Sequence, residues 1–265
     1  MADEDKKERL NEEFDSTRPY VEFLKMKELV TTWYEGLGVL RMEELVPCKE
    51  VAKWTAIFVV DMINDFCKPD GALYSARIEG IISPIASLLR NAQSRGVGIN
   101  LVQDCHDENA REFRAFPKHA VKGTRGAETI TELMELPFSD TFRIFLKNSL
   151  SAADSCYRYY GQGDLHTLIF SYFINQFYYF GGTAIIVGDC TNLCVREIAM
   201  GLQLWANEWG KDVRVVIPAN CVQTFDLPFE KAKELGAMPH PGDFYHLLSL
   251  YEMRRNGIEI VGEII

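Results

Sequence analysis

From Trp54 onward, short apolar runs rich in β-branched residues alternate with stretches of helical period. The runs at 56–60, 98–102, 142–146, 184–187, 213–217 and 258–261 predict strands. Helical patterns fill most of the gaps, around 79–95, 125–135, 165–180, 193–208 and 228–254, the last broken at Pro239 and Pro241. Such alternation predicts an α/β fold, a mainly parallel six-stranded sheet with helices on both faces. Residues 1–50 differ: they are charged and helical in period, with Phe14, Val21, Phe23, Leu24, Leu29, Trp33 and Tyr34 as apolar anchors. The expected organisation is an N-terminal helical extension over 1–50 followed by one α/β domain over 51–265.

In sheets of this kind the active site lies at the carboxyl ends of the strands. The chemistry found there is Asp61 after the first strand, Asp104-Cys105-His106 after the second, Lys147 after the third and the 188–194 turn after the fourth. No glycine fingerprint for phosphate follows the first strand, where Asp61-Met62-Ile63-Asn64 stands instead, so a dinucleotide site is not expected. In the fourth turn Thr191 and Asn192 are good helix-capping residues, which puts Cys194 in the first turn of a helix whose Val195, Ile198 and Ala199 share a face. Backbone N–H groups and the positive end of the helix dipole would there favour a thiolate, making Cys194 a candidate nucleophile. Read singly, Cys194 suits packing, Asp61 a turn cap and Lys147 a solvated strand end. Together, each just after an apolar strand of one sheet, they suit an amide-cleaving centre with Asp61 moving the proton and Lys147 supporting the thiolate.

Charge and cysteine usage narrow the partners. A net charge of −10 without a basic cluster argues against nucleic acid or an anionic membrane surface and leaves small molecules. No apolar run reaches membrane-spanning length and the first residues are charged where a signal peptide would turn apolar, so a cytoplasmic location is expected. Seven scattered cysteines support neither a disulfide framework nor a zinc ribbon. Apolar anchors in the N-terminal segment favour a homo-oligomer.

Asp61 in Val59-Val60-Asp61-Met62-Ile63-Asn64-Asp65-Phe66, Lys147 in Ile144-Phe145-Leu146-Lys147-Asn148 and Cys194 in Gly188-Asp189-Cys190-Thr191-Asn192-Leu193-Cys194-Val195 resemble the isochorismatase-like cysteine hydrolases, and within them the nicotinamidases. The resemblance covers about residues 54–262. It implies a Rossmann-like, isochorismatase-like hydrolase fold and a triad with Asp61 as general acid and base, Lys147 as electrostatic support and Cys194 as the nucleophile that forms a thioester. It also implies a cis peptide before residue 190 that turns the N–H groups of Cys190 and Cys194 toward the substrate carbonyl as an oxyanion hole.

Asp104 and His106, with His119 later in Phe116-Pro117-Lys118-His119, offer one carboxylate and two imidazoles, a set suited to a divalent transition metal with open positions for water or substrate. The resemblance strengthens that reading and implies a metal gripping the ring nitrogen of a pyridine carboxamide. Zinc is the first expectation, with manganese, iron or magnesium as alternatives. Glu112 is either a fourth ligand, direct or through water, or a solvated loop charge. Relative to the family pattern, Ile63 replaces a glutamine, Cys105 and Phe116 replace tryptophans, and Asp189 and Cys190 replace small apolar residues. Phe66 and Phe116 are the expected aromatic walls around a ring. The first expected function is hydrolysis of nicotinamide to nicotinate and ammonia. The alternatives are another hydrolase of the superfamily, acting on a ureido compound, another small amide or isochorismate, and a catalytically silent scaffold of the same fold.

Overall fold

In the computed structural model, which describes residues 18–150, Phe177 and residues 181–265, all six expected strands form. In chain order the strands are β1 (Val39–Leu40), β2 (Thr55–Val60), β3 (Gly98–Asp104), β4 (Arg143–Lys147), β5 (Gly182–Asp189), β6 (Val213–Pro218), β7 (Val222–Gln223), β8 (Glu259–Val261) and β9 (Glu263–Ile264). The main sheet runs β4-β3-β2-β5-β6-β8, with every pairing parallel. It has seven strands rather than six, because the two residues of β7 pair with the end of β5, Gly188 with Val222 and Asp189 with Gln223. So short a run carries no periodicity to read.

Burial on both sides explains the unbroken apolar character of the central strands. Ile57, Val59, Ile99, Leu101, Ile185 and Val187 form one cluster with Ile82, Ile85 and Leu89 of the helix Ile82–Ser94. The alternate residues Phe58, Val60 and Ile186 are equally buried and point to the opposite face. The helix Cys194–Glu208 covers that side against β5 and β6, and the helix Gly242–Arg255 packs on it and on β8. Val195, Ile198 and Ala199 are buried as their spacing requires, joined by Leu202, Trp205 and Ala206.

Two expectations are corrected. The helix expected over 125–135 is replaced by a 3-10 turn, Arg125–Ala127, and a single helical turn, Thr131–Met134. Between these local turns the segment bonds to the chain after β2: Asn64 N donates to Glu128 O at 3.0 Å, Ile130 N to Met62 O at 3.2 Å and Asn64 Nδ2 to Arg125 O at 2.8 Å. The expected domain boundary at residue 50 lies instead at residue 36, the chain dividing into Met1–Gly36 and Leu37–Ile265. Residues beyond 36 belong to the larger unit because β1 pairs with β9 and Met42, Leu45, Val46 and Ala52 enter its core. The smaller unit contains the helix Arg18–Glu35, on which Val21, Phe23, Leu24 and Leu29 are exposed and Trp33 and Tyr34 half-buried. Phe14 and most of the helix expected over 165–180 fall outside the described residues, although Phe177 is helical and buried. Among the described residues no helix is long and apolar enough to cross a membrane.

Register delivers the chemistry. Val60 lies between Val102 and Gly188, so Asp61 emerges beside the ends of both neighbouring strands, and Asp104 pairs directly with Lys147. Gly188 makes the close approach possible: its φ is +112°, and a Cβ there would lie 2.0 Å from Val60 O. Gly188→Ala is accordingly expected to lower the unfolding free energy by more than about 2 kcal/mol in chemical denaturation, since the left-handed backbone and the overlap act together. A variant as stable as the parent would contradict this account of the sheet centre.

Candidate active site

Asp61, Lys147 and Cys194 meet at the centre of the strand ends, each almost wholly buried. The Lys147 ammonium lies 2.8 Å from Asp61 Oδ2, hydrogen-bonds Asp104 Oδ1 and donates to Cys194 Sγ at 3.3 Å. Asp61 takes a left-handed backbone, φ +52°, which costs a non-glycine residue about 1–2 kcal/mol. Its backbone bonds hold it there, N donating to Val102 O at 2.8 Å and O accepting from Ile63 N at 2.7 Å. Its Oδ1 accepts from Asp104 N at 2.6 Å, which ties the Asp61 carboxylate to the end of β3.

The electrostatics correct one expectation. Burial pushes the Cys194 thiol well above its ordinary range; Lys147 pulls the other way, but Asp61 and Asp104 add to the rise. Desolvation thus outweighs the ammonium and works against the thiolate expected at a helix start. Burial and the Asp104 charge raise Asp61 to about 7 against the opposing pull of Lys147, a value suited to taking and returning protons near neutrality. Lys147 is held charged, well above its ordinary range: burial works against the charge, but Asp104 and Asp61 prevail.

Asp104 divides its oxygens. Oδ1 faces Lys147, while Oδ2 lies 3.6 Å from His106 Nε2 and 3.8 Å from His119 Nε2. Glu112 Oε1 closes the group at 3.9 Å from each Nε2, so the structure gathers all four candidate ligands. These gaps are a little wider than the roughly 3.4 Å kept by tetrahedral ligands about 2.1 Å from a shared ion. The donor set fits a metal in another respect. Asn148 Oδ1 lies 3.2 Å from His106 Nδ1 and Pro117 O 2.7 Å from His119 Nδ1; each oxygen accepts a hydrogen bond from its imidazole, so that a neutral ring turns its Nε2 lone pair toward the other ligands. His106 Nε2 is buried with no hydrogen-bond partner among the described residues, a state a cation would relieve. Burial would lower His106, yet Asp104 and Glu112 raise it, so the cluster attracts positive charge.

The loop carrying His119 is fastened from a distance. Ala120 N donates to Asp65 Oδ2 at 2.7 Å, and His106 N to Ala120 O at 2.8 Å. Phe66 and Phe116 both reach the ring of His119, at centroid distances of 5.5 and 6.4 Å. Phe113, which sequence reasoning misses, makes edge contacts with both imidazoles, at 5.4 Å to His106 and 5.7 Å to His119. Its neighbourhood reads as a loop in sequence, which hides it. Asn148 is missed as well, although its place as the polar residue directly after Lys147 is a signal that could find it.

The Asp189-Cys190 peptide is cis, as the resemblance implies. Asp189 is fully buried, its carboxyl raised well above the usual range by burial and the charge of Asp61; Oδ2 has no hydrogen-bond partner among the described residues. Cys194 does begin its helix, but Thr191 and Asn192 do not cap it: the N-cap is Leu193 and no side chain bonds there. Instead Thr191 Oγ1 lies 2.9 Å from His246 Nδ1, and Asn192 Nδ2 lies 3.0 Å from His240 Nε2.

Comparison with known proteins agrees with this architecture. A family model described as Isochorismatase domain matches residues 55–242. The chain is 26% identical over 219 residues to nicotinamidase 1 of Arabidopsis thaliana, covering 78% of this chain and 85% of the relative. Among solved structures, an isochorismatase-like hydrolase from Alkaliphilus metalliredigens superposes with a TM-score of 0.55 at 25% identity, covering 78% of this chain and 94% of that one. A pyrazinamidase of Pyrococcus horikoshii in complex with zinc superposes with a TM-score of 0.54 at 24% identity, covering 78% and 98%, a likeness of fold.

Two outcomes follow from the geometry. Zinc titrated into metal-free protein should saturate at one ion per chain, with affinity reduced by more than about 100-fold in His119→Ala and by about 10-fold in Asn148→Ala. Unchanged affinity in His119→Ala would remove that residue from the ligand set. Burial lowers His246 to about 4, with Arg77 lowering it further and Asp243 opposing. The unfolded chain then binds the extra proton between about pH 6.5 and 4, so stability present above that window is lost on acidification. In urea titrations the advantage of the wild type over His246→Asn should shrink by on the order of 3 kcal/mol across it. A pH-independent difference would contradict a buried neutral imidazole.

Proposed function

Starting from a chain that belongs to the isochorismatase family, we propose that Asp61, Lys147 and Cys194 hydrolyse the carbon–nitrogen bond of a small amide, nicotinamide in the first instance, to nicotinate and ammonia. The observation that carries this reading is the single ammonium of Lys147 touching the carboxylates of Asp61 and Asp104 and the thiol of Cys194 in one buried centre.

A neutral thiol needs a base at the moment of attack. Asp61 accepts the Cys194 proton as sulfur bonds to the amide carbon, and the N–H groups of Cys190 and Cys194 receive the developing oxyanion. Two such donors can each supply about 3–4 kcal/mol. Asp61 then passes its proton to the leaving nitrogen, the carbon–nitrogen bond breaks, and ammonia departs from a thioester on Cys194. Water attacks that thioester, Asp61 takes the water's proton, and collapse expels sulfur, to which the proton returns as the acid leaves. Lys147 stays charged throughout and offsets the negative charge that moves between Asp61 and Cys194.

Asp104, His106, Glu112 and His119 would hold a divalent metal, and we take zinc as its identity. Such a metal would supply a Lewis acid for the ring nitrogen of a pyridine carboxamide. Phe66 and Phe116, with Phe113 beside the imidazoles, provide the aromatic walls. The nicotinamidase among its relatives supports an amide, and the pyrazinamidase solved with zinc supports a metal.

Purified, zinc-loaded protein is expected to release ammonia from nicotinamide. Cys194→Ala should lower kcat by at least about 10⁴-fold while retaining one zinc per chain. Substantial turnover by Cys194→Ala would remove it as the nucleophile; no release by the wild type would exclude nicotinamide.

A further inference from the structure

Thr191 and Asn192 sit between Cys190 and Cys194, and their side chains bond to His246 and His240 rather than capping the helix they precede. The turn is not held by local preference. Leu193 has φ −119° and ψ −107°, outside the ordinary helical and extended regions, and such a conformation persists only when its surroundings over-determine it. Within the turn, Leu193 N and Val195 N donate to Cys190 O at 3.0 and 3.2 Å. Its side chains are tied instead to the chain leading into and forming the last helix.

His240 is fixed before it meets the turn. Its ring is stacked between Phe225, at 3.8 Å and 16°, and Tyr245, at 4.3 Å and 12°. Its backbone pairs with Leu227 in both directions at 2.8 Å, and its Nδ1 donates to Phe225 O at 3.0 Å. That assigns the proton to Nδ1 and leaves an Nε2 lone pair toward the Asn192 amide at 3.0 Å. Asn192 Oδ1 accepts from Thr224 Oγ1 at 2.7 Å, so both ends of the amide are engaged. His246, buried beside the fully buried Thr191, engages the other side chain at 2.9 Å.

We propose that His240 and His246 are positioning residues for the nucleophile turn: by engaging Asn192 and Thr191 they hold Cys190 and Cys194 in place and keep both side chains from capping the helix. A capping side chain would occupy the N–H groups of the helix start. Drawn off to the imidazoles, these side chains leave the backbone donors to the substrate oxyanion. The inference rests on the proposed role of Cys194 but not on nicotinamide as the substrate.

Two readouts separate these dependences: nicotinamide turnover by the zinc-loaded enzyme, and the rate at which iodoacetamide alkylates Cys194, followed by peptide mass mapping. His240→Phe keeps an aromatic ring in the stack and removes the acceptor; His240→Gln restores an acceptor near the Nε2 position. His246→Leu and His246→Asn make the corresponding pair. His240→Phe and His246→Leu should each lower kcat by about 10- to 100-fold with KM within about threefold, and the conservative partners should recover most of it. Cys194 alkylation should change in the same variants. In an Asn192→Ala background the further substitution His240→Phe should have little added effect, because its route of action is already gone. Wild-type kcat in folded His240→Phe and His246→Leu would overturn the proposal, as would an equal loss in His240→Gln and His240→Phe or full additivity with Asn192→Ala. Should nicotinamide not be turned over, the alkylation series decides in its place: rates equal to wild type in folded His240→Phe and His246→Leu would overturn the proposal. Should a histidine variant fail to fold, Asn192→Ala and Thr191→Val must show the same kcat loss, and their retention of full kcat would likewise overturn it.

Discussion

A buried lysine ammonium is costly to hold, and the charge of Lys147 is the constraint to which the rest of the centre answers. Removing a partner from a buried pair costs about 3–5 kcal/mol, so its neighbours cannot vary freely. Asp61 and Asp104 offset the charge from the ends of β2 and β3, and the sulfur of Cys194, at the start of its helix, accepts a further N–H of the Lys147 ammonium. The parallel register brings them within reach, since Asp104 pairs with Lys147 across β3 and β4 and Asp61 follows the residue opposite both Val102 and Gly188. Gly188 permits the approach of β5 to β2 on which the fourth member depends.

From this constraint the division of labour follows. Asp104 stays ionised because Lys147 and His106 together outweigh the effect of burial, and its second oxygen can serve the imidazole cluster. Burial raises the proton affinity of Asp61 and the charge of Asp104 adds to it, while the pull of the shared ammonium leaves it in the neutral range. Burial raises the thiol of Cys194 further than the attraction of Lys147 lowers it. Burial and one shared cation together therefore leave the three groups with different proton affinities.

Much of this is legible in the sequence. Asp61, Lys147 and Cys194 announce themselves because each follows an apolar run that can only be a strand, and parallel strands bring their carboxyl ends together. His119 requires a loop to return to β3, which spacing alone leaves open; the structure closes it through Asp65 and the backbone of Ala120. Local propensity misleads at Thr191 and Asn192, where it favours a cap, because partners about fifty residues away, His240 and His246, engage those side chains instead. The state of Cys194 is hidden for a related reason: helix dipole and lysine are visible in the sequence, but complete desolvation is a property of the packed fold. Phe113 and β7 lie in stretches too short or irregular to carry a period.

The central claim is that Cys194 rests as a neutral thiol and becomes nucleophilic through Asp61, and alkylation of Cys194 by iodoacetamide near pH 7, compared between wild type and Asp61→Asn, tests it most directly. The account predicts alkylation at least about tenfold slower in Asp61→Asn, because the base is gone. Equal or faster alkylation would mean that Lys147 and the helix start already hold a thiolate, which removal of the Asp61 charge would only favour, and would contradict the account.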